Sequence, residues 1–431
     1  MSLTYYFVFF AVFAAVLIFS MRSGGHPANG ADFALSGRRA TAGDVAWVII
    51  GTLVGGAATV GTVQMAYLFG FAAWHFTLGS GLACLVLALG FSRALRESES
   101  VTVSQYLGSR FGPGFQTYSS LIASSGMLMQ IVAQFLAAAA LLGSVFGFSP
   151  TAAIVLSALM TLGMILSGGI AGAGRVGKLK CFLLYLIMVL AAVLALHAAG
   201  GWRPLLDAAR SDGGDLSLFA YGVRPAMVDL GSMVIGVLST QIYLQAVFAA
   251  QTVRAARRGA LLSATLIPPL GLLGIVVGLY LRGHAPELAS ETARALPFFI
   301  NQSFPSVLAA FCLAGLLIIV LGTGAGLTLG VTTNLHNDLL VKISWVRKRW
   351  GDVTLLRAGC VALVLLAATI AWLSLHTAIL QWSYVAMGLR GTAVFTGLCL
   401  VVFGRNAPWI GRAKPLLFAL PIAYLLYIYL K

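Results

Sequence analysis

Apolar runs of membrane-crossing length, separated by short polar breaks, recur along the whole chain. They lie near 4–21, 44–70, 71–92, 117–147, 150–168, 177–200, 227–251, 259–281, 303–335, 355–375, 377–403 and 413–430. A helix needs about 20 consecutive apolar residues to cross the hydrocarbon of a bilayer. The pattern therefore predicts an all-α integral membrane protein with about 12 transmembrane helices. Two runs are unusually soft. "GTLVGGAATVG" (51–61) puts Gly55 and Gly56 near the middle of its span, and paired glycines weaken a helix by about 1 kcal/mol each. "LGTGAGLTLGVTTNLHNDLL" (321–340) carries Gly322, Gly326 and Gly330 four residues apart with threonines among them. Small residues at this spacing let another helix approach closely, as Gly51 and Gly55 also do. The rival reading is that hydroxyls and unwound backbone hold something small and charged, because irregular backbone at that depth is tolerated only where it lines a cavity.

Charge distribution orients the spans. Of the 27 Lys and Arg residues, 20 fall in one alternating set of loops, including the clusters at 254–258 and 347–349, and only six in the other. The positive-inside rule puts the first set in the cytoplasm and both termini outside. The net charge of +15 is thus a product of topology, and it argues for a lipid bilayer rather than nucleic acid as partner. With 60% hydrophobic and 9% charged residues and a mean hydropathy of +0.95, the 431-residue chain is expected to reside in the cell (inner) membrane as a multi-pass protein. The first apolar segment lacks the basic leader and small-residue cleavage site of a signal peptide and is expected to be retained.

Little in the sequence points to an enzyme. The five cysteines are scattered singly, and no HExxH, GxSxG or Cys/His cluster occurs. All twelve carboxylates fall in loops or at span ends, so a cation at mid-membrane must be held by neutral oxygens. Arg390, in "AMGLRGTAVF", is the one charge inside a span. A buried Arg costs about 2.5–3.5 kcal/mol on insertion scales and needs carbonyls or an anion.

Three stretches, in order, resemble the sodium/solute symporter family: "ADFALSGRRATAGDVAWVIIGTLVGGAATVGTVQMAYLFG" (31–70), "VTVSQYLGSRFG" (101–112) and "STQIYLQAVFAAQTVRAARRGALL" (239–262). The 321–340 stretch is similar to the family's eighth-helix pattern, with Thr332, Thr333 and Asp338 in register. The resemblance implies a five-plus-five inverted-repeat core with broken first and sixth core helices and a binding site at the midplane. It divides the chain into an extra helix and cytoplasmic loop (1–30), a first repeat (31–200), an external loop (201–226), a second repeat (227–403) and a last extra helix (404–431).

The resemblance also implies a sodium ion between core helices one and eight, with no other metal and no cofactor. Carried over by register, its ligands are the carbonyls of Gly51, Val54 and Ile319 and the side chains at 322 and 323. Ile319, Gly322, Thr323 and Gly326 share one helix face, and oxygen suits so hard a cation. Yet Gly322 and Gly55 stand where the family usually has Ser. In core helix five, "RVGKLK" puts Val176-Gly177 in place of a Thr-Asp pair and Lys180 in place of a Gln. An ammonium from Lys178 or Lys180 is therefore a candidate substitute for the ion, against the alternative that both lysines serve topology at the cytoplasmic end.

Substrate-binding candidates are Gly55, Gly56, Gln64, Gln134, Ser239, Gln241 and Arg390. The expected function is secondary active import of a small polar solute by alternating access, with sodium as the coupling ion. Two alternatives are a sodium-independent uniporter or exchanger built on a fifth-helix lysine, and a transporter-derived membrane sensor.

Overall fold

The computed structural model describes residues 2–22, 38–98, 100–211, 216–340, 351–404 and 408–430, without the side chains of 166–177 and of several residues near helix ends. The start of the 31–70 stretch, the basic loop at 341–350 and the side chains of Arg175, Val176 and Gly177 lie outside the described residues.

The described residues are helical apart from short connections and one isolated backbone bridge, Ala40 to Ala250. In chain order the helices are α1 (Leu3–Arg22), α2 (Ala42–Leu53), α3 (Thr62–Phe69), α4 (His75–Val86), α5 (Ser92–Glu97) and α6 (Val103–Phe111). Next come α7 (Pro113–Phe146), α8 (Pro150–Ala198), α9 (Trp202–Ser211), α10 (Val223–Val237), α11 (Gln241–Phe248) and α12 (Val253–His284). Last are α13 (Ala295–Ser303), α14 (Ser306–Asp338), α15 (Asp352–Leu373), α16 (Ile379–Phe403) and α17 (Lys414–Tyr429).

Eight helical stretches among the described residues are long and apolar enough to cross a membrane, or nine if α10 and α11 form one bent span. Three shorter apolar helices accompany them, at Leu3–Ala15, Ala42–Leu53 and Pro150–Ile165. This differs from the twelve runs read along the sequence, for two physical reasons. Where a helix breaks in mid-run, one piece can fall short of spanning length, as α2 does, while the other runs on into the next, here the 41-residue stretch Ala57–Glu97. Where polar residues stay helical, neighbouring runs fuse. The runs at 150–168 and 177–200 lie in the single 49-residue helix α8. At 1.5 Å per residue it would extend about 74 Å if straight, more than twice the hydrocarbon thickness.

Local chemistry accounts for the helix ends that matter here. Thr41 caps α2: its hydroxyl accepts from the Asp44 N–H at 3.2 Å, and the Asp44 carboxylate accepts from the Thr41 N–H at 3.1 Å. At its other end α2 stops at Leu53. Val54 is extended (φ −89°, ψ 100°), and a short π-helical turn at Ala57–Gly61 leads into α3. The α10–α11 pair is bent by 40° across Leu238–Thr240. There the Ser239 and Thr240 hydroxyls turn back to the Ile235 and Gly236 carbonyls at 2.6 and 2.7 Å.

The core is built around α7 and α14, which pack along each other. α16 packs on α7 and α10, α14 also packs on α8 and α1, and α12 packs on α2, α3 and α4. The first break packs against α7, α14 and α16, and the residues of both breaks are buried.

Candidate substrate and ion site

Close approach explains the glycines of the first break. A Cβ on Gly56 would stand 2.4 Å from the Ala137 Cβ, and one on Gly55 would stand 2.6 Å from Gln134 Oε1 and 2.9 Å from Thr323. Breaking the helix frees backbone groups that lipid cannot satisfy. Gln134, on α7, answers one of them by accepting from the Gly56 N–H at 2.8 Å. The Thr59 hydroxyl donates to the Gly55 carbonyl at 3.0 Å.

Beside this break sits a lysine. Lys180, from the second half of α8, is 6% exposed. Its Nζ donates to the Gly51 carbonyl at 3.0 Å and to Thr323 Oγ1 at 2.9 Å. The Thr323 hydroxyl in turn donates to the Ile319 carbonyl at 2.9 Å, one turn back in α14. Gly322 lies alongside: a Cβ there would be 3.5 Å from Nζ and 3.7 Å from the lysine Cδ. Of the five positions carried over as ion ligands, Gly51 and Thr323 thus bond an ammonium group, Gly322 lies beside it, and the Ile319 carbonyl accepts from Thr323. The fifth, Val54, has its N–H bonded to the Ile50 carbonyl at 2.8 Å. Among the described residues no group of three or more His, Cys, Asp or Glu is placed to hold a metal.

The two lysines separate cleanly. Lys178 is exposed and pairs with Asp44 at 3.2 Å, at the start of α2. Only Lys180 reaches the break.

The polar substrate candidates are largely spent on protein. Gln64 donates to the Thr292 hydroxyl at 3.2 Å and accepts from the Ile379 N–H at 3.0 Å. Gln241 accepts from the Val103 N–H at 2.9 Å and donates to the Val101 carbonyl at 3.2 Å, tying α11 to the 101–112 stretch. Ser239, in the break, bonds back to the Ile235 carbonyl at the end of α10. Asp338, the acid of the eighth-helix pattern, is fully buried and accepts from Gln116 Nε2 at 3.0 Å.

Arg390 behaves differently. It is fully buried about midway along α16, and its Nη2 donates to Gln130 Oε1 at 2.8 Å and to the Met387 sulfur. Gln130 escaped the sequence reading, although it lies one turn before Gln134 on the same face of α7. Tyr243, just beyond the α10–α11 break, also went unnoticed; it lies within electrostatic reach of the guanidinium.

Long apolar helices, two of them interrupted beside buried polar side chains, make this an all-helical membrane protein. The family model for the sodium:solute symporter family matches residues 33–407, and the chain belongs to that family. Among solved structures it is similar to a Na+-coupled sialic acid symporter in a substrate-bound, outward-open state. That match has 18% identity and a TM-score of 0.75, covering 93% of this chain and 87% of the other. It is also similar to Mhp1, a nucleobase-cation-symport-1 family transporter in a closed conformation (14% identity, TM-score 0.62, 90% and 85% covered). The manganese transporter of Eremococcus coleocola is a third (12% identity, TM-score 0.57, 90% and 85% covered). No curated protein matches the sequence. The chain is a membrane transporter of the sodium:solute symporter family.

Proposed function

We propose that this chain imports a small polar solute by alternating access, with the Lys180 ammonium standing in the place of a coupling sodium ion, so that transport is sodium-independent. The observation that carries this reading is the pair of hydrogen bonds from Lys180 Nζ to the Gly51 carbonyl and the Thr323 hydroxyl. An ammonium fixed between α2, α8 and α14 supplies the positive charge and the cross-links that a bound ion would supply. A sodium ion entering beside it meets a like charge a few ångströms away and oxygens already engaged. Gly322 fits the same reading, because the lysine runs past a position without a side chain.

The architecture that goes with this function is twelve spans in a five-plus-five inverted repeat. In that reading α2–α3 is the broken first core helix, α10–α11 the broken sixth, and the two apolar halves of α8 count as separate spans. The repeats are 31–200 and 227–403, flanked by 1–30 and 404–431 and joined by the external loop at 201–226. Both termini face the outside of the cell (inner) membrane.

Sodium symport is the second reading, favoured by family membership and by the name of the sialic acid symporter similar to this chain. It requires Lys180 to leave the Gly51 and Thr323 oxygens when the ion enters. Uptake into liposomes loaded with the purified protein distinguishes the two. Rates equal in sodium and in potassium, and lost in Lys180→Ala, are expected from the ammonium. Rates that rise with sodium and survive Lys180→Ala would establish symport.

A further inference from the structure

Arg390 carries a full charge, has no exposure, and lies near the middle of α16. No carboxylate pairs with it, and no backbone carbonyl accepts from it, among the described residues. Its bonds run from a single nitrogen, Nη2, to Gln130 and Met387. Nε and Nη1, three N–H donors between them, have no partner. Because a guanidinium only donates, the amide atom of Gln130 that faces it must be the oxygen. The amide nitrogen of Gln130 is then left to face the Tyr243 side chain.

Other buried polar atoms around it are also unsatisfied. The Tyr243 hydroxyl, near Arg390 at the second helix break, meets only the Gln130 side chain, and Ser383 Oγ, two turns before Arg390 on the same face of α16, has no partner. All four side chains are at least 95% buried. Native interiors rarely leave such groups orphaned, and a cluster of orphans marks a place where something else supplies the partners. The deficit is one-sided: it centres on a guanidinium that can only give hydrogen bonds, with hydroxyls beside it able to do so. What is missing is an acceptor bearing negative charge.

A structural role would require Arg390 to be bonded to the carbonyls freed by a helix break. Those of the α10–α11 break are instead taken by its own hydroxyls, with Ile235 serving Ser239 and Gly236 serving Thr240. Lys180, with its own oxygens, offers Arg390 no compensation.

We propose that Arg390, with Gln130 and Tyr243, binds the carboxylate of the transported solute, making the substrate an organic anion. This rests on the transport reading above and narrows its substrate class. Arg390 supplies the charge, Tyr243 and the Gln130 amide supply neutral donors, and the site sits beside the second helix break, where opening to either side would expose it.

The test is thermal stabilisation of the full-length purified protein by acetate, lactate, succinate and benzoate, each set against its neutral amide and against chloride. At least one carboxylate is expected to raise Tm where its amide does not. Arg390→Gln is expected to weaken that binding at least tenfold and Arg390→Lys less. Should Arg390→Gln fail to fold, Tyr243→Phe serves, since it keeps the ring and removes only the hydroxyl that faces Arg390 and Gln130. It is expected to weaken carboxylate binding several-fold, read as the loss of ligand-induced shift against its own ligand-free Tm. The proposal is overturned if carboxylate and amide stabilise equally, if only chloride acts, if no probe acts, or if Arg390→Lys and Tyr243→Phe both bind as the wild type does. Uptake of a neutral solute at the wild-type rate by Arg390→Lys would overturn it while leaving the transport reading intact.

Discussion

A charged side chain brought into the membrane must find partners, and Lys180 and Arg390, the buried Lys and Arg among the described residues, have solved that requirement to different degrees. Lys180 has two oxygens, whereas Arg390 has one amide and a sulfur. Removing a partner from a charged group costs about 1.5–3 kcal/mol. Thr323→Val, which takes one oxygen from Lys180, is expected to lower Tm measurably and to leave sodium without effect. Gly322→Ser should be tolerated, because a Cβ there meets Lys180 at ordinary contact distance and its hydroxyl can accept from the ammonium. The informative variant is the double substitution Lys180→Ala with Gly322→Ser, which removes the like charge and restores the second hydroxyl. It is expected to acquire sodium-dependent stabilisation that the wild type lacks, read as Tm in sodium against Tm in potassium. A flat response in the double variant would mean that this gap is not an ion site in any form.

At the scale of elements, the first break depends on contact with α7 and α14 more than on glycine's flexibility. Gly→Ala inside a helix ordinarily gains about 1 kcal/mol. At Gly56 the new methyl would meet the Ala137 Cβ at 2.4 Å, and overpacking of that kind costs about 1–3 kcal/mol. Gly56→Ala is therefore expected to lower Tm despite its favourable propensity. Gln134→Ala should destabilise through a different route, by orphaning the Gly56 N–H at a cost of about 1–3 kcal/mol. Its glycine neighbours would still fit, so the loss should appear as faster amide exchange confined to the break. Gln64 and Gln241 hold elements together at the two helix breaks in the same manner, and substituting either is expected to alter opening rates before it alters substrate affinity.

At the scale of the whole molecule, orientation can be tested independently of transport. In cells treated with a membrane-impermeant maleimide, Ser2→Cys is expected to label and Arg110→Cys to stay unlabelled until the membrane is opened. The opposite pattern would invert the topology and with it the direction assigned to uptake. Native cysteines other than the half-buried Cys399, which is replaced by Ser in both variants, will contribute little background, because Cys84, Cys181, Cys312 and Cys360 are buried.

Several features were legible along the chain because they depend on local composition. Hydropathy sets which segments leave water, and loop charge sets their expected direction. Paired glycines weaken a helix wherever it packs, so the interruption after Leu53 could be read from Gly55 and Gly56. Helix continuity through polar residues could not be read in this way: the uninterrupted assignment of α8 departs from the two runs expected there. Nor could the choice between Lys178 and Lys180. They differ by two residues, which on a helix points them about 200° apart, so only the placement of α8 against α2 and α14 decides which meets Asp44 and which meets Gly51. The same holds for Gln130 and Tyr243, ordinary polar residues until packing puts both beside Arg390. Sequence by itself determined a helical membrane protein with softened spans and a lone intramembrane arginine, since transfer free energy and helix propensity act residue by residue. Tertiary structure alone decided which oxygens face which cation, because hydrogen bonds reach only about 3 Å and these partners lie up to 260 positions apart in the chain.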